Sequence, residues 1–353
     1  MGACSEKPGS LLKVAKAKID ESQYIAFTTT AYYPIPESDL VDTITTWTEV
    51  VRNNKDSLGY SFIQKDDRSD RVYTADKLQV ANHQDNVIRT YLPKHFEKPE
   101  ELVETAKNNF RNNWSPLSLF NDTWTYVKDS TIGNVNLKNY SRIENDRVYN
   151  GKKIHTEQHN FINKTAVLTQ FERRNYIDGI LSQRVVIHFS NYEFNKNSVE
   201  LSYNLPKNYV SAYGKEKSLP DLEQGEIAPG FSGVTMGGDS ISLKMYAGKK
   251  VLLNFSVVSC GYCKQALDHF NQDDFELADD VSIIYINPED NKSKLTTYMK
   301  RTPIPFPVIA EAQSIAQKYG GSSFPRYFLI DEKGIIEKMQ VGFSAEFIDK
   351  FRK

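Results

Sequence analysis

Cysteine is scarce in this sequence, and long apolar runs are missing. Three cysteines are spread over 353 residues, at Cys4, Cys260 and Cys263, and only the last two stand at a spacing that closes a tight redox ring. The length exceeds that of one small disulfide-stapled fold and suits two ordinary domains. No stretch approaches the roughly 20 consecutive apolar residues that span a bilayer, so no transmembrane helix is expected. An excess of either charge is also missing. The 44 Lys and Arg against 45 Asp and Glu leave a formal charge of -1, which suggests no nucleic-acid partner. No internal repeat or low-complexity tract stands out.

Aromatic residues, by contrast, are plentiful. Tyr and Phe number 20 and 19, and they lie mostly in the first two thirds among many Thr and Val, a composition that favours sheet there. From Tyr24 to about Tyr209 short alternating runs are separated by polar turns, the period-2 pattern of antiparallel strands. Tyr24 to Tyr33, Tyr60 to Ile63, Leu78 to Val80 and Val87 to Tyr91 are such runs. Asn150-Gly151 between Val148-Tyr149 and Lys153-Ile154 is the clearest hairpin turn, because Asn-Gly accepts the positive φ of a two-residue loop. One helix is expected within this region: Pro99 suits a first turn, Glu100 and Glu101 favour the positive end, and Leu102, Ala106 and Phe110 recur every four residues. His155 and His159 would lie roughly 13 Å apart on a strand, too far for one ion, so no metal site is assigned.

After a polar linker at residues 215–226 the pattern changes to alternating strands and helices. Val251 to Val258, Val281 to Asn287, Arg326 to Asp331 and Ile335 to Val341 read as strands. Gly261 to Phe270, Lys292 to Lys300, Gln313 to Tyr319 and a segment from Ala345 read as helices. The expected organisation is a polar tether over 1–20, an antiparallel β-rich domain over 21–214, the linker, and an α/β domain over 227–353.

Cys260-Gly261-Tyr262-Cys263 follows an apolar strand and opens a helix. Free N-H groups and the helix dipole at that end stabilise a thiolate, which makes Cys260 the expected nucleophile. Cys263 stands close to one turn further on and can attack a mixed disulfide held on Cys260, the role of a resolving thiol. A zinc half-site and a pair of core cysteines are the plain alternatives. Zinc would need a second ligand pair, and neither another Cys-x-x-Cys nor a His at finger spacing is near. His269 falls almost half a turn round the helix from Cys260 and reads as a packing or surface residue.

Ala228-Pro229-Gly230-Phe231, Ile241-Ser242-Leu243, Gly248-Lys249-Lys250 leading through Val251-Leu252-Leu253-Asn254-Phe255 to the cysteine pair, and Phe324-Pro325-Arg326-Tyr327-Phe328-Leu329-Ile330-Asp331 with Gly334 together resemble the TlpA/ResA branch of thioredoxin-like proteins. The resemblance implies a thioredoxin-like fold and an exported, membrane-tethered thiol-disulfide oxidoreductase. It also implies a cis Phe324-Pro325 bond facing the cysteines, with Phe324, Pro325 and Tyr262 as substrate-docking residues. Ser259 and Tyr262 stand where the family commonly has Trp and Pro, and the Gly-Tyr dipeptide resembles that of bacterial disulfide isomerases, so the direction of electron flow stays open between reductase and isomerase. Asn254 occupies the position of a buried acid in cytoplasmic thioredoxins, which leaves the proton acceptor of Cys263 unnamed. A peroxiredoxin shares Ala228-Pro229 and the Gly248-Lys249 strand, but Val257 replaces the Thr or Ser that would orient peroxide.

Two weaker resemblances concern the rest of the chain. Gly2-Ala3-Cys4 before a polar stretch is similar to the end of a bacterial lipoprotein signal, which implies lipid attachment at Cys4 in a longer precursor. The plain alternative is a free cysteine on a polar terminus, and a myristoylation signal is disfavoured by Glu6. The hairpins and helix of the first domain resemble the antiparallel half-barrel, with a covering helix, of LolA/LolB-type lipoprotein carriers. Aromatic residues on one face would then line a groove for an acyl chain or apolar peptide, whereas an ordinary packed core produces the same stripe.

The expected function is extracytoplasmic thiol-disulfide exchange on protein disulfides, in a bacterial envelope or periplasm, with an unidentified redox partner and no cofactor or metal. The alternative is a lipid- or peptide-binding lipoprotein whose thioredoxin-like domain is a sensor or vestige.

Overall fold

A computed structural model of the chain describes residues 8–35, 40–110, 114–149, 152–197, 199–214, 222–320 and 323–353. Contacts divide it into two units: Met1–Pro34 with Val41–Lys215, and Ile35–Leu40 with Glu216–Lys353.

The first unit opens with helix α1 (Pro8–Glu21), followed by strands β1 (Tyr24–Pro34), β2 (Val41–Arg52), β3 (Tyr60–Lys65), β4 (Ser69–Thr74), β5 (Lys77–Asn82) and β6 (Val87–Tyr91). Helices α2 (Glu100–Asn109) and α3 (Pro116–Leu119) come next. The unit closes with β7 (Thr125–Ile132), β8 (Val135–Tyr149), β9 (Lys152–Asn163), β10 (Leu168–Ile177), β11 (Ile180–Asn195) and β12 (Val210–Tyr213). Among the described residues these strands form one 12-stranded sheet in the order β12-β6-β5-β4-β3-β2-β1-β11-β10-β9-β8-β7. It is antiparallel apart from the β12–β6 pairing. β8 and β9 run to Tyr149↔Lys152 in register, while Asn150 and Gly151 lie outside the described residues.

The polar tether expected over residues 1–20 is corrected from Pro8 onward. Leu11, Ala15 and Ile19 recur at the four-residue spacing that lines one helix face, and all three are buried with Ile25, Phe27, Tyr140 and Phe171. The lysines between them hide this stripe in a reading of composition. Where one helix was expected in this unit, the described residues form three α-helices. The one foreseen is α2, whose Leu102 and Ala106 pack with Phe110 against Val50, Phe62, Tyr73 and Leu78.

In the second unit the assignment of Ile35–Leu40 departs from the expected division, because Ile35 is buried beside Val258, Leu267 and Leu295. A short hairpin of β13 (Ser232–Val234) and β14 (Ser240–Ser242), not foreseen, precedes β15 (Lys250–Phe255). Then follow α4 (Gly261–Phe270), β16 (Val281–Ile286), α5 (Lys292–Met299), β17 (Val308–Ile309), α6 (Gln313–Lys318), β18 (Arg326–Ile330), β19 (Ile336–Val341) and α7 (Ala345–Ile348).

The sheet order is β17-β16-β15-β18-β19, with β15, β16 and β17 parallel and β18 and β19 antiparallel to their neighbours. Alternation along the central strand β15 explains the layering. Val251, Leu253 and Phe255 pack toward Ile315 and Ala316 of α6, while Leu252 faces Ala266 and Phe270 of α4. Burial on both sides is why β15 reads as a nearly unbroken apolar run. This is the thioredoxin-like fold that the sequence implied.

Candidate active site

β15 ends at Phe255, and residues 256–259 carry the chain to Cys260, the N-cap of α4. Cys260 is half-buried and Cys263, in the first turn, is buried. A disulfide joins them, with Cα atoms 5.2 Å apart. The Cys263 backbone N–H donates to Cys260 Sγ at 3.1 Å, so the helix end directs a donor at the outer sulfur. The same donor and the unpaired N–H groups of the first turn favour negative charge on Cys260 once the disulfide opens.

A loop distant in sequence completes the site. The Phe324-Pro325 bond is cis, and the Phe324 carbonyl oxygen lies 3.5 Å from Cys260 Sγ. The structure thus brings Cys260, Cys263, Phe324 and Pro325 together. Tyr262 points outward, 51% exposed, at the tip between the two cysteines. Cys4 lies outside the described residues.

His269 takes no part. Its Nε2 is 2.7 Å from Asp349 Oδ1 and its ring packs edge-on against Phe275 and Phe343. Val257, three residues before Cys260, is a buried apolar side chain with no hydroxyl to offer. Lys264, beside Cys263, is also buried and pairs with Asp268 Oδ1 at 2.5 Å. Its charge is compensated within the helix.

One residue of the site was missed in the sequence. Asp290 follows β16 and is buried; its Oδ2 accepts from the Val258 backbone N–H at 2.8 Å and from Asn287 Nδ2 at 2.9 Å, and its Oδ1 pairs with Lys294 Nζ at 2.8 Å. Asn287 Oδ1 in turn accepts from the backbone of Glu289 and Asp290. A rigid turn therefore grips the loop two residues before Cys260. The only signal was Asn287-Pro288-Glu289-Asp290, a turn-forming run that names no distant partner.

This arrangement can cycle between disulfide and dithiol, with an outer sulfur reachable by a partner and an inner one shielded from it. The redoxin family model matches residues 217–350. Over 138 residues the chain is 30% identical to the thioredoxin-like protein YneN of Bacillus subtilis, which spans 38% of this chain and 80% of that protein. Over 148 residues it is 28% identical to the thiol-disulfide oxidoreductase ResA of Bacillus cereus, covering 41% of this chain and 84% of ResA. The crystal structure of StoA from Bacillus subtilis matches 35% of this chain and 97% of its own, at 25% identity and a TM-score of 0.31.

Proposed function

This chain belongs to the redoxin family, among the thiol-disulfide oxidoreductases related to YneN and ResA, and we propose that it exchanges electrons with protein disulfides through Cys260 and Cys263. The observation that carries this reading is the half-buried Cys260 at the N-cap of α4, bonded to a buried Cys263 and facing the Phe324 carbonyl. In the reductive direction the Cys260 thiolate attacks a substrate disulfide and one substrate sulfur leaves as a thiol. Cys263 then attacks Cys260, the Cys260–Cys263 bond forms, and the second substrate sulfur departs. Substrate gains two electrons and the pair loses two. A dithiol redox partner returns the pair to its reduced state.

Phe324 and Pro325 would form the wall against which an extended substrate segment lies, with Pro325 offering no N–H and the Phe324 backbone pairing with the segment. Tyr262 would touch the same segment from the opposite side. The first unit, with its wide antiparallel sheet, fits a half-barrel that recruits the substrate or holds an apolar ligand. We place the protein at the bacterial envelope, outside the cytoplasm, held there by lipid on Cys4. Among the described residues no helix is long and apolar enough to cross a membrane.

Reduction of insulin and reactivation of a scrambled disulfide protein, each run with wild type and Cys260→Ser, test the reading. Turnover should require Cys260 in at least one assay. Activity equal in both proteins, or none in either with a reductant supplied, overturns it.

A further inference from the structure

Three polar side chains on one face of the second unit's sheet are completely buried without a full set of partners. Asn254 of β15 stands in register with Tyr285 of β16 on one side and Tyr327 of β18 on the other. The three therefore form a row across neighbouring strands, with Cβ atoms about 5 Å apart between members. Each is 0% exposed. Asn254 Oδ1 accepts from Ser256 Oγ at 2.6 Å, but Asn254 Nδ2 and the Tyr327 hydroxyl meet no partner. The Tyr285 hydroxyl stands beside Ser256 without a well-formed hydrogen bond. A buried polar group left unsatisfied has lost its hydrogen bonds to water without gaining others. Three in one row call for a shared partner, since leucine and phenylalanine would fill the same volume without that cost.

The row lies beneath α4. Tyr327 packs with Ala266 and Phe270 of that helix, and Tyr285 with Leu267. Cys263 occupies the buried side of the same helix's first turn, 1% exposed. Asn254 is next to last in β15, and Ser256 follows the strand on the approach to Cys260.

We propose that Asn254, Tyr285 and Tyr327 hold an ordered water under α4, and that this site carries the proton away from Cys263 as it resolves a mixed disulfide. The inference rests on the roles given above to Cys260 and Cys263. A buried water makes about three hydrogen bonds, and one amide donor with two hydroxyls supplies that number. Burial pushes both phenols far above their ordinary 10.0, so they stay neutral and act as hydroxyl donors and acceptors, not as bases. In the step itself the Cys263 proton is relayed through the held water, which takes up one proton and passes on another, as the sulfur attacks Cys260. The Cys260–Cys263 bond forms, the bond from Cys260 to the substrate sulfur breaks, and the departing thiolate takes up the proton.

Stopped-flow reaction of the full, reduced chain with one equivalent of a chromogenic aromatic disulfide separates the two thiols. Cys260 releases one aromatic thiolate in the first phase, and Cys263 releases the other in the second. Tyr327→Phe and Asn254→Leu should each slow the second phase by about tenfold or more while the first stays within about twofold, the scale of a lost proton-transfer contribution. Tyr285→Phe serves as a further variant if either loses its native circular dichroism. Equal slowing of both phases would mean that the row only supports the helix, and an unchanged second phase would mean that Cys263 sheds its proton elsewhere; either result overturns the proposal. A second phase that persists in Cys263→Ser would instead refute the resolving role, and the inference with it.

Discussion

Asp290 Oδ2 accepts the backbone N–H of Val258 at 2.8 Å, across a sequence separation of 32 residues. The carboxylate is buried and also holds Asn287 and Lys294, so it fixes the approach to Cys260 without belonging to the cysteine pair. Asp290→Ala should destabilise the second unit by about 2–4 kcal/mol, because it leaves the buried Val258 N–H without its acceptor and removes the bond to Asn287. It should also lower the rate of Cys260 alkylation in the reduced protein. Asp290→Asn, which keeps one carboxamide oxygen, should recover part of both. Urea midpoints read the first effect and iodoacetamide kinetics the second; an alkylation rate equal to wild type in a folded Asp290→Ala would show that other contacts hold the loop.

Tyr262 offers the largest exposed apolar surface between the two cysteines. Tyr262→Ala should raise KM for a protein disulfide substrate roughly fivefold to thirtyfold, as loss of an aromatic contact does, with the reaction toward a small aromatic disulfide unchanged. A parallel loss with both substrates would place its effect on the cysteines instead of on docking.

Glu172 is fully buried in the first unit, with Oε2 receiving Arg174 at 2.7 Å and Oε1 receiving Arg184 at 2.5 Å. Burial alone would raise its carboxyl, but the Arg184 and Arg174 guanidinium groups outweigh it and hold the pKa below the ordinary 4.5. A carboxyl depressed on folding stabilises the protein above its unfolded pKa, and that contribution fades as pH falls below about 4.5 toward the lower folded value. Both arginines are partly exposed, so the cost of Glu172→Gln at pH 7 should be about 1–3 kcal/mol. The gap between wild type and variant should narrow steadily on acidification. Chemical denaturation at several pH values measures it, and a gap independent of pH would remove the ion pairs from the explanation.

Helix α1 should be an integral part of the first unit. Leu11→Ala should cost about 2–5 kcal/mol, the range for a buried leucine, whereas Lys13→Ala on the exposed side should stay within about 0.5 kcal/mol. If the two variants melt alike, the helix contributes little to that core.

Much of the redox site could be read in one dimension because its signals are local. The apolar run ending at Phe255, the cysteine spacing and the amphipathic turn pattern share a single stretch of chain, and α4 occupies Gly261–Phe270 as expected. The strands at Arg326–Ile330 and Ile336–Val341 followed from short apolar runs around the Glu332-Lys333-Gly334 turn. Family resemblance, not periodicity, pointed from Cys260 to Phe324, 64 residues away.

Other features depend on which distant segments meet. Tyr285, Asn254 and Tyr327 look like ordinary strand residues until register sets them side by side. Asp290 reads as a turn residue until folding presents it with Val258. In the first unit β1 pairs with β2 nearby and with β11 far along the chain, a closure that alternation cannot specify, since every strand with one apolar face is an equally good partner by pattern alone. Helix α1 escaped notice for a related reason: three apolar residues among lysines form a core-facing stripe only when a sheet is there to receive them. Local propensity and periodicity therefore defined the elements and the chemistry of the cysteine pair, while side-chain burial and strand register selected the residues that surround it.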